Sequence, residues 1–184
     1  MFMIWRSIPE IIVYLLLKEE VRHCIDMDME RLGKKKGIYF LHELLLHNHV
    51  FRRQFMVRVL TESIYKYYFV RWTYNPLQSL EISAETNQIG GGLQIIHGYS
   101  TIICCHSMGE NCTVYQNVTI GRGRKYGATN LPVIGNNVTI YTGAIIVGGV
   151  HIGDNAVIGA GAIVVKDVPA NTTVVSQPMR IIEH

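Results

Sequence analysis

Ahead of the C-terminal His184, the second half of the chain carries three imidazoles, His97, His106 and His151. An imidazole changes charge near neutrality, so each is a candidate general base or metal ligand. A metal site needs ligands that converge; these three are scattered with no close pair, and no metal site is predicted. His97 lies in the interval Ile95–Ile102, where the surrounding repeat is one residue too long and must bulge outward. His106 falls at a position expected to point inward and reads as a core histidine. The four cysteines, Cys24, Cys104, Cys105 and Cys112, show no CxxC spacing. Cys112 holds an inward position and reads as a small core hydrophobe, and the set implies a reducing compartment. Between Gly121 and Pro132 a polar, glycine-rich stretch with Arg122, Arg124, Lys125 and Tyr126 interrupts the repeat. Loops extruded from a rigid scaffold commonly carry function; this one could bind an acidic group or simply be solvated.

The element that must position these groups is a six-residue period. From Ile134 to Val164 an aliphatic residue returns at every sixth place (Ile134, Ile140, Ile146, Ile152, Ile158, Val164), and four places after each comes Val138, Ala144, Val150, Ala156, Ala162 or Val168. Neither a helix nor an alternating strand has this period. Short strands and turns that coil so that each aliphatic enters one stacked core do have it, which predicts a parallel β-helix. The period extends backward, less regularly, through Ile82, Ile89, Ile95, Ile102, Met108, Val114 and Ile120. Of four Asn-x-Thr sequons, at Asn111, Asn117, Asn137 and Asn171, at least three follow from the turn-then-strand chemistry of the repeat, and none is read as a glycan site.

Residues 1–77 read differently, as a helical region. Ser7-Ile8-Pro9-Glu10 has a capping-box pattern, followed by an apolar face of Ile11, Ile12, Leu15 and Leu16. Gly33 and Gly37 bracket the basic turn Lys34-Lys35-Lys36, Ile38 to Leu46 predicts a helix, and Asn48 can cap another. In that last helix Phe51, Phe55, Met56, Val59 and Leu60 line one side while Arg52, Arg53 and Arg58 point elsewhere. These helices are expected to cover the open end of the coil or to join subunits, and residues 78–184 to form the β-helix.

Bulk properties exclude several classes. The net charge is +3, and the basic excess lies in residues 1–80, with 12 Lys/Arg against 8 Asp/Glu by count. A three-lysine turn reads as solvated, so no nucleic-acid partner is predicted. The apolar run Ile11–Leu17 is too short to span a bilayer, and Lys18-Glu19-Glu20 stands where a signal-peptide cleavage site would fall. The expected location is cytoplasmic.

The run Ile89-Gly-Gly-Gly-Leu-Gln-Ile-Ile-His97, then Tyr115-Gln-Asn-Val-Thr-Ile-Gly121, then Ile158-Gly-Ala-Gly-Ala-Ile-Val-Val-Lys-Asp-Val-Pro169 resembles the hexapeptide-repeat acyltransferases. Within them the similarity is to the serine acetyltransferase branch and its relatives that O-acetylate polysaccharide sugars. The resemblance implies a left-handed coil, a homotrimer with active sites between subunits, and acetyl-CoA as co-substrate; the N-terminal helices could join such trimers in pairs. It places His97 at the general base and Glu81 at the carboxylate that orients it. It places Gly121, Thr142, Ala160 and Gly161 along the cofactor groove, with Lys166 and Arg180 toward the phosphates.

A hydroxyl attacks a thioester poorly unless its proton is removed as it attacks, and a placed imidazole contributes on the order of 10²–10⁴-fold. Where serine acetyltransferases carry an Asp before the histidine and an Arg-His pair before the loop's proline, this chain has Ile96, Asn130 and Leu131. Burying an ammonium or carboxylate without partners costs several kcal/mol. The expectation is therefore O-acetylation of a sugar hydroxyl, by direct attack, with serine O-acetylation as the alternative. A non-catalytic β-helix assembly protein is a second alternative. Cys104 or Cys105 could also serve as a covalent acyl carrier.

Overall fold

A computed structural model of the chain describes residues 7–73, 75–83, 88–123 and 130–177. Arg124, Lys125, Tyr126 and Arg180 lie outside the described residues.

Among the described residues thirteen short strands, paired in parallel, form three sheets that wrap one core. The first sheet stacks β1 (Leu80–Ser83), β3 (Thr101–Cys104), β6 (Thr119–Gly121), β9 (Ile145–Val147) and β12 (Ile163–Val164). The second stacks β4 (Ser107–Met108), β7 (Val133–Ile134) and β10 (His151–Ile152). The third stacks β2 (Gln94–Ile95), β5 (Thr113–Val114), β8 (Thr139–Ile140), β11 (Val157–Ile158) and β13 (Thr173–Val174). Each strand pairs with its counterpart one coil on; Ile140 stands opposite both Val114 and Ile158, for instance. All twelve aliphatic positions from Ile134 to Val168 are buried, as the period predicts.

The corners explain the sequons. Asn111, Asn117, Asn137, Asn155 and Asn171 all turn the chain at φ between 56° and 59°, a left-handed conformation that asparagine tolerates better than most residues. Three of these side chains form a ladder up one corner: Asn137 Nδ2 donates to Asn155 Oδ1 (3.2 Å), and Asn155 Nδ2 to Asn171 Oδ1 (2.9 Å).

The early repeat departs from the sequence register. Ile102 faces out and is 40% exposed, while Ile103 enters the core. The turn after β2 absorbs two extra residues, not one, with His97, Gly98 and Ser100 at positive φ. β3 is then four residues long, so Thr101, Ile103 and Cys105 point inward by alternation. Cys105 thereby takes the inward place expected of His106, which is exposed.

Among the described residues five helices precede the coil: α1 (Ile8–Leu15), α2 (Glu19–Arg31), α3 (Ile38–His47), α4 (His49–Glu62) and α5 (Ile64–Thr73). The Asn48 cap forms, its Oδ1 accepting from the Phe51 N–H at 2.9 Å. The capping box does not: Ser7 makes no side-chain cap bond, and its buried hydroxyl lies 2.9 Å from His42 Nδ1. The face of α1 that packs inward is Glu10, Val13 and Tyr14, with Leu17 just beyond, whereas Ile12, Leu15 and Leu16 are about half exposed or more. Arg52 and Arg58, expected outside, are buried. Arg52 caps the end of α3, donating to the Leu45 and Leu46 carbonyls.

Arg58 joins helices to coil. Its guanidinium pairs with Asp28 and donates to the carbonyls of Ile89 and Gly90. Asp28 in turn accepts from the Leu93 N–H at 2.9 Å, and Gln54 donates to the Leu93 carbonyl at 2.7 Å. The first turn of the β-helix is thus held by side chains of α2 and α4.

Candidate active site

His97 lies in the turn that joins β2 to β3, with φ 63° and its side chain exposed. A non-glycine residue in this region carries a conformational cost of order 1–2 kcal/mol, so the surrounding structure must impose it. The imposing element is Gly98, at φ 68°, whose N–H bonds back to the Ile96 carbonyl at 2.8 Å. A Cβ at Gly98 would stand 3.2 Å from both Ile95 and Val50 and 3.4 Å from Leu80. The turn is therefore clamped between the coil core and α4, and the imidazole is presented to solvent.

The strand register sets what stands above it. Ile95, Val114, Ile140 and Ile158 form one column. Two residues further along the same coils come His97, Gln116, Thr142 and Ala160. Thr142 O accepts from Gly161 N at 3.0 Å and Gln116 O from Gly143 N at 3.3 Å, which keeps this corner in register. With strands stacked about 4.8 Å apart, His97 and Ala160 are roughly 14 Å apart along the corner. The column is lined by small groups: Gly161 has φ 67°, and a Cβ there would meet nothing within 4 Å. A slender chain laid along it would meet exposed backbone.

The structure brings four of the anticipated residues, His97, Thr142, Ala160 and Gly161, to this one corner. Gly121 and Lys166 lie elsewhere, at the opposite edge of the first sheet. Gly121 ends β6 beside Val147, and Lys166 follows β12 and is exposed. A Cβ at Gly121 would also meet nothing within 4 Å.

Glu81 is not joined to His97. It points outward from β1, directly opposite Ile102, five residues past His97 on the coil. Its carboxylate accepts from the Ser83 hydroxyl at 3.3 Å. The offset between β1 and the turn, not the strand spacing, separates the pair.

The other candidates are also placed. His106 donates its backbone N–H to the Pro132 carbonyl. His151 is exposed, with Nδ1 3.8 Å from Asp167. Among the described residues no group of three or more His, Cys, Asp or Glu side chains converges as metal ligands would. Burial pushes the Cys105 thiol up to about 12, with Cys104 beside it adding to the rise; a thiol that holds its proton so firmly is a poor acyl carrier. Ile96 is half-buried and Leu131 is buried, at 5% exposure.

Two groups were not anticipated. Gln116, directly above His97 in the corner column, has a buried Oε1 without a hydrogen-bond partner. Arg53 has a buried Nε in the same condition. The motif Tyr115-Gln-Asn contains the first, but nothing in the sequence marks Arg53, because its neighbours come from β1 and α5. Tyr115 and Tyr141, beside the same corner, stack with ring centroids 4.9 Å apart.

These features define a left-handed parallel β-helix. Residues 132–166 match the family described as bacterial transferase hexapeptide (six repeats). The chain is 40% identical over 96 residues to a serine acetyltransferase of Synechococcus elongatus, covering 52% of this chain and 39% of that one. It is 41% identical over 99 residues to one from Staphylococcus epidermidis, covering 53% and 46%. The chain thus spans less than half the length of the curated relatives it matches. The fold is similar to that of Neisseria gonorrhoeae serine acetyltransferase in complex with serine, with a TM-score of 0.66, 24% identity, and coverage of 95% of this chain and 74% of that one. It is equally similar to soybean serine acetyltransferase apoenzyme, at TM-score 0.66 and 24% identity, covering 90% and 70%.

Proposed function

We propose that this protein is an acetyl-CoA-dependent O-acetyltransferase in which His97 removes the proton of an acceptor hydroxyl as it attacks the thioester. The observation that carries this reading is the clamped left-handed turn at His97, set at the foot of a corner column with Thr142, Ala160 and Gly161. The hydroxyl oxygen bonds to the acetyl carbonyl carbon, the carbon–sulfur bond breaks, and the imidazolium formed at His97 returns its proton to the departing thiolate. The pantetheine arm runs up the corner, with its amides against exposed backbone; Lys166 and, by the family resemblance of its position in the sequence, Arg180 are assigned to the phosphates.

Gly121 and Lys166 lie a sheet's width from the His97 corner, which supports a groove closed by two subunits. An exposed aliphatic column on the first sheet, Ile102, Ile145 and Ile163, supports the homotrimer that such a groove needs. In this reading Glu81 is the carboxylate that orients the imidazole within the assembly. The exposed apolar side of α1 supports pairing of trimers through the helices. Among the described residues no helix is long and apolar enough to cross a membrane, and a cytoplasmic location is part of this proposal.

For the acceptor, the names of the relatives favour serine over the sugar that the sequence alone suggests. The second reading, a sugar hydroxyl, keeps one specific support: Ile96, Asn130 and the buried Leu131 offer a free amino acid no charge. CoA release measured with serine and with a panel of sugars tests both readings. Turnover of serine at a rate well above any sugar would retire the second, and no release with any hydroxyl acceptor would retire the enzyme reading.

A further inference from the structure

Beside Glu81 the surface opens into a cavity of about 460 Å³ lined by Arg53, Arg71, Asn75, Gln78, Glu81 and Ser83. It lies where α4 and α5 meet β1, at the foot of the coil. Two of its walls are cationic and one is anionic, leaving an excess of one positive charge among these side chains. Among the described residues Arg53 makes no hydrogen bond or ion pair, and its Nε is buried. Arg71 is exposed, and its Nη1 spends one donor on the Tyr67 hydroxyl at 3.1 Å. An arginine N–H removed from water with no acceptor is costly, and guanidinium forks match carboxylates in pairs of parallel bonds. The cavity is therefore short of one anionic acceptor.

Its position says which substrate would bring that acceptor. The corner column climbs from His97 toward Ala160, so the CoA arm extends away from the helices. The cavity lies on the helix side of the turn that carries His97: Leu80, which lines it, is buried and would stand 3.4 Å from a Cβ at Gly98. His97 is not among the residues that line it, so an acceptor held in the cavity would have to extend from β1 to the turn to present its hydroxyl to the imidazole.

We infer that Arg53 and Arg71 bind a carboxylate of the acceptor and so select for acidic acceptors. This deepens the acetyltransferase reading and rests on it for the word acceptor. It does not need Ile96 or Leu131 to carry charge, because the anion is held from the helices. A carboxylate can come from an amino acid such as serine or from a uronic-type sugar, and both present the same chemistry to the two guanidinium groups.

The experiment uses the full chain and the variants Arg53→Gln and Arg71→Gln, with circular dichroism to confirm the fold; Arg71 is exposed, so its variant stays informative if Arg53→Gln fails to fold. CoA release is measured with L-serine against serinamide and with D-glucuronate against D-glucose, and binding of L-serine and D-glucuronate is measured by calorimetry without CoA. The expected result is at least a tenfold preference in kcat/KM for one carboxylate acceptor over its neutral counterpart, carried by KM and reduced at least tenfold in either variant. Preference in the serine pair identifies an amino acid, and preference in the glucuronate pair an acidic sugar. Equal use of charged and neutral acceptors, or a preference untouched by both variants, overturns the inference. If no acceptor releases CoA, the enzyme reading fails by itself; saturable carboxylate binding lost in the variants would still uphold the site, and no binding would overturn it too.

Discussion

Asp28 and Arg58 form a bidentate ion pair at 3.1 Å, 1% and 8% exposed, between α2 and α4. The remaining bonds of both groups go to the first turn of the coil, at Ile89, Gly90 and Leu93. One pair thus orders two helices and the strand entry that precedes His97. Removing one partner strands a buried charge, which typically costs about 3–5 kcal/mol. Asp28→Ala and Arg58→Ala should each lower stability by that amount in urea unfolding, and the double variant should cost well under the sum of the two. Additive costs would show that the pair does not act as a unit.

Replacing His97 tests the chemistry. His97→Ala should lower kcat at least a hundredfold, within the usual range for a general base, with affinity for CoA nearly unchanged. Because the imidazole is exposed and its turn is held by Gly98, the variant should melt close to the wild-type temperature. A variant that loses turnover only by losing its fold would leave His97 without a role in proton transfer.

Gly121 offers a steric test with little structural cost. Its φ is not in the left-handed region, and a Cβ there meets nothing within 4 Å. Gly121→Val should therefore leave thermal stability within about 1 kcal/mol, in line with strand propensities. If Gly121 walls the cofactor groove, KM for acetyl-CoA should rise severalfold. An unchanged KM would remove this residue from the groove.

The buried thiols give a pH dependence of known sign. Burial pushes Cys105 up to about 12 and Cys112 up to about 11, from an ordinary value near 9. Both stay protonated in the folded chain at neutral pH, so iodoacetamide at pH 8 should spare them until denaturant is added. Above pH 9 the unfolded chain ionises these thiols while the folded one does not. Their contribution to stability is therefore complete below pH 9 and declines between pH 9 and 12. Cys105→Ala should lessen that alkaline decline while losing some core packing; rapid native alkylation of Cys105, followed by mass spectrometry, would contradict the burial argument.

How far each feature could be read from the chain follows from how local its cause is. The coil from Ile134 to Val168 was legible because each hexad repeats the same local instruction and neighbouring coils merely stack it. The Asn48 cap and the lysine turn between Gly33 and Gly37 were legible for the same reason. The register around His106 was not, since the turn at His97–Ser100 absorbs two residues and alternation along β3 then favours Cys105. The burial of Arg52 and Arg58 was hidden because a charge goes inside only where partners from other elements meet it. For Arg58 those partners are Asp28 and the carbonyls of Ile89 and Gly90.

By itself the sequence determined the spool and a histidine placed where the spool's period breaks. Only the tertiary structure decided which side chains share a corner with that histidine, that Glu81 stands apart from it in one chain, and that Arg53 waits unpaired at its foot. The physical reason is range: a period is written every six residues, whereas these neighbours are brought together by contacts that span the helices and the coil.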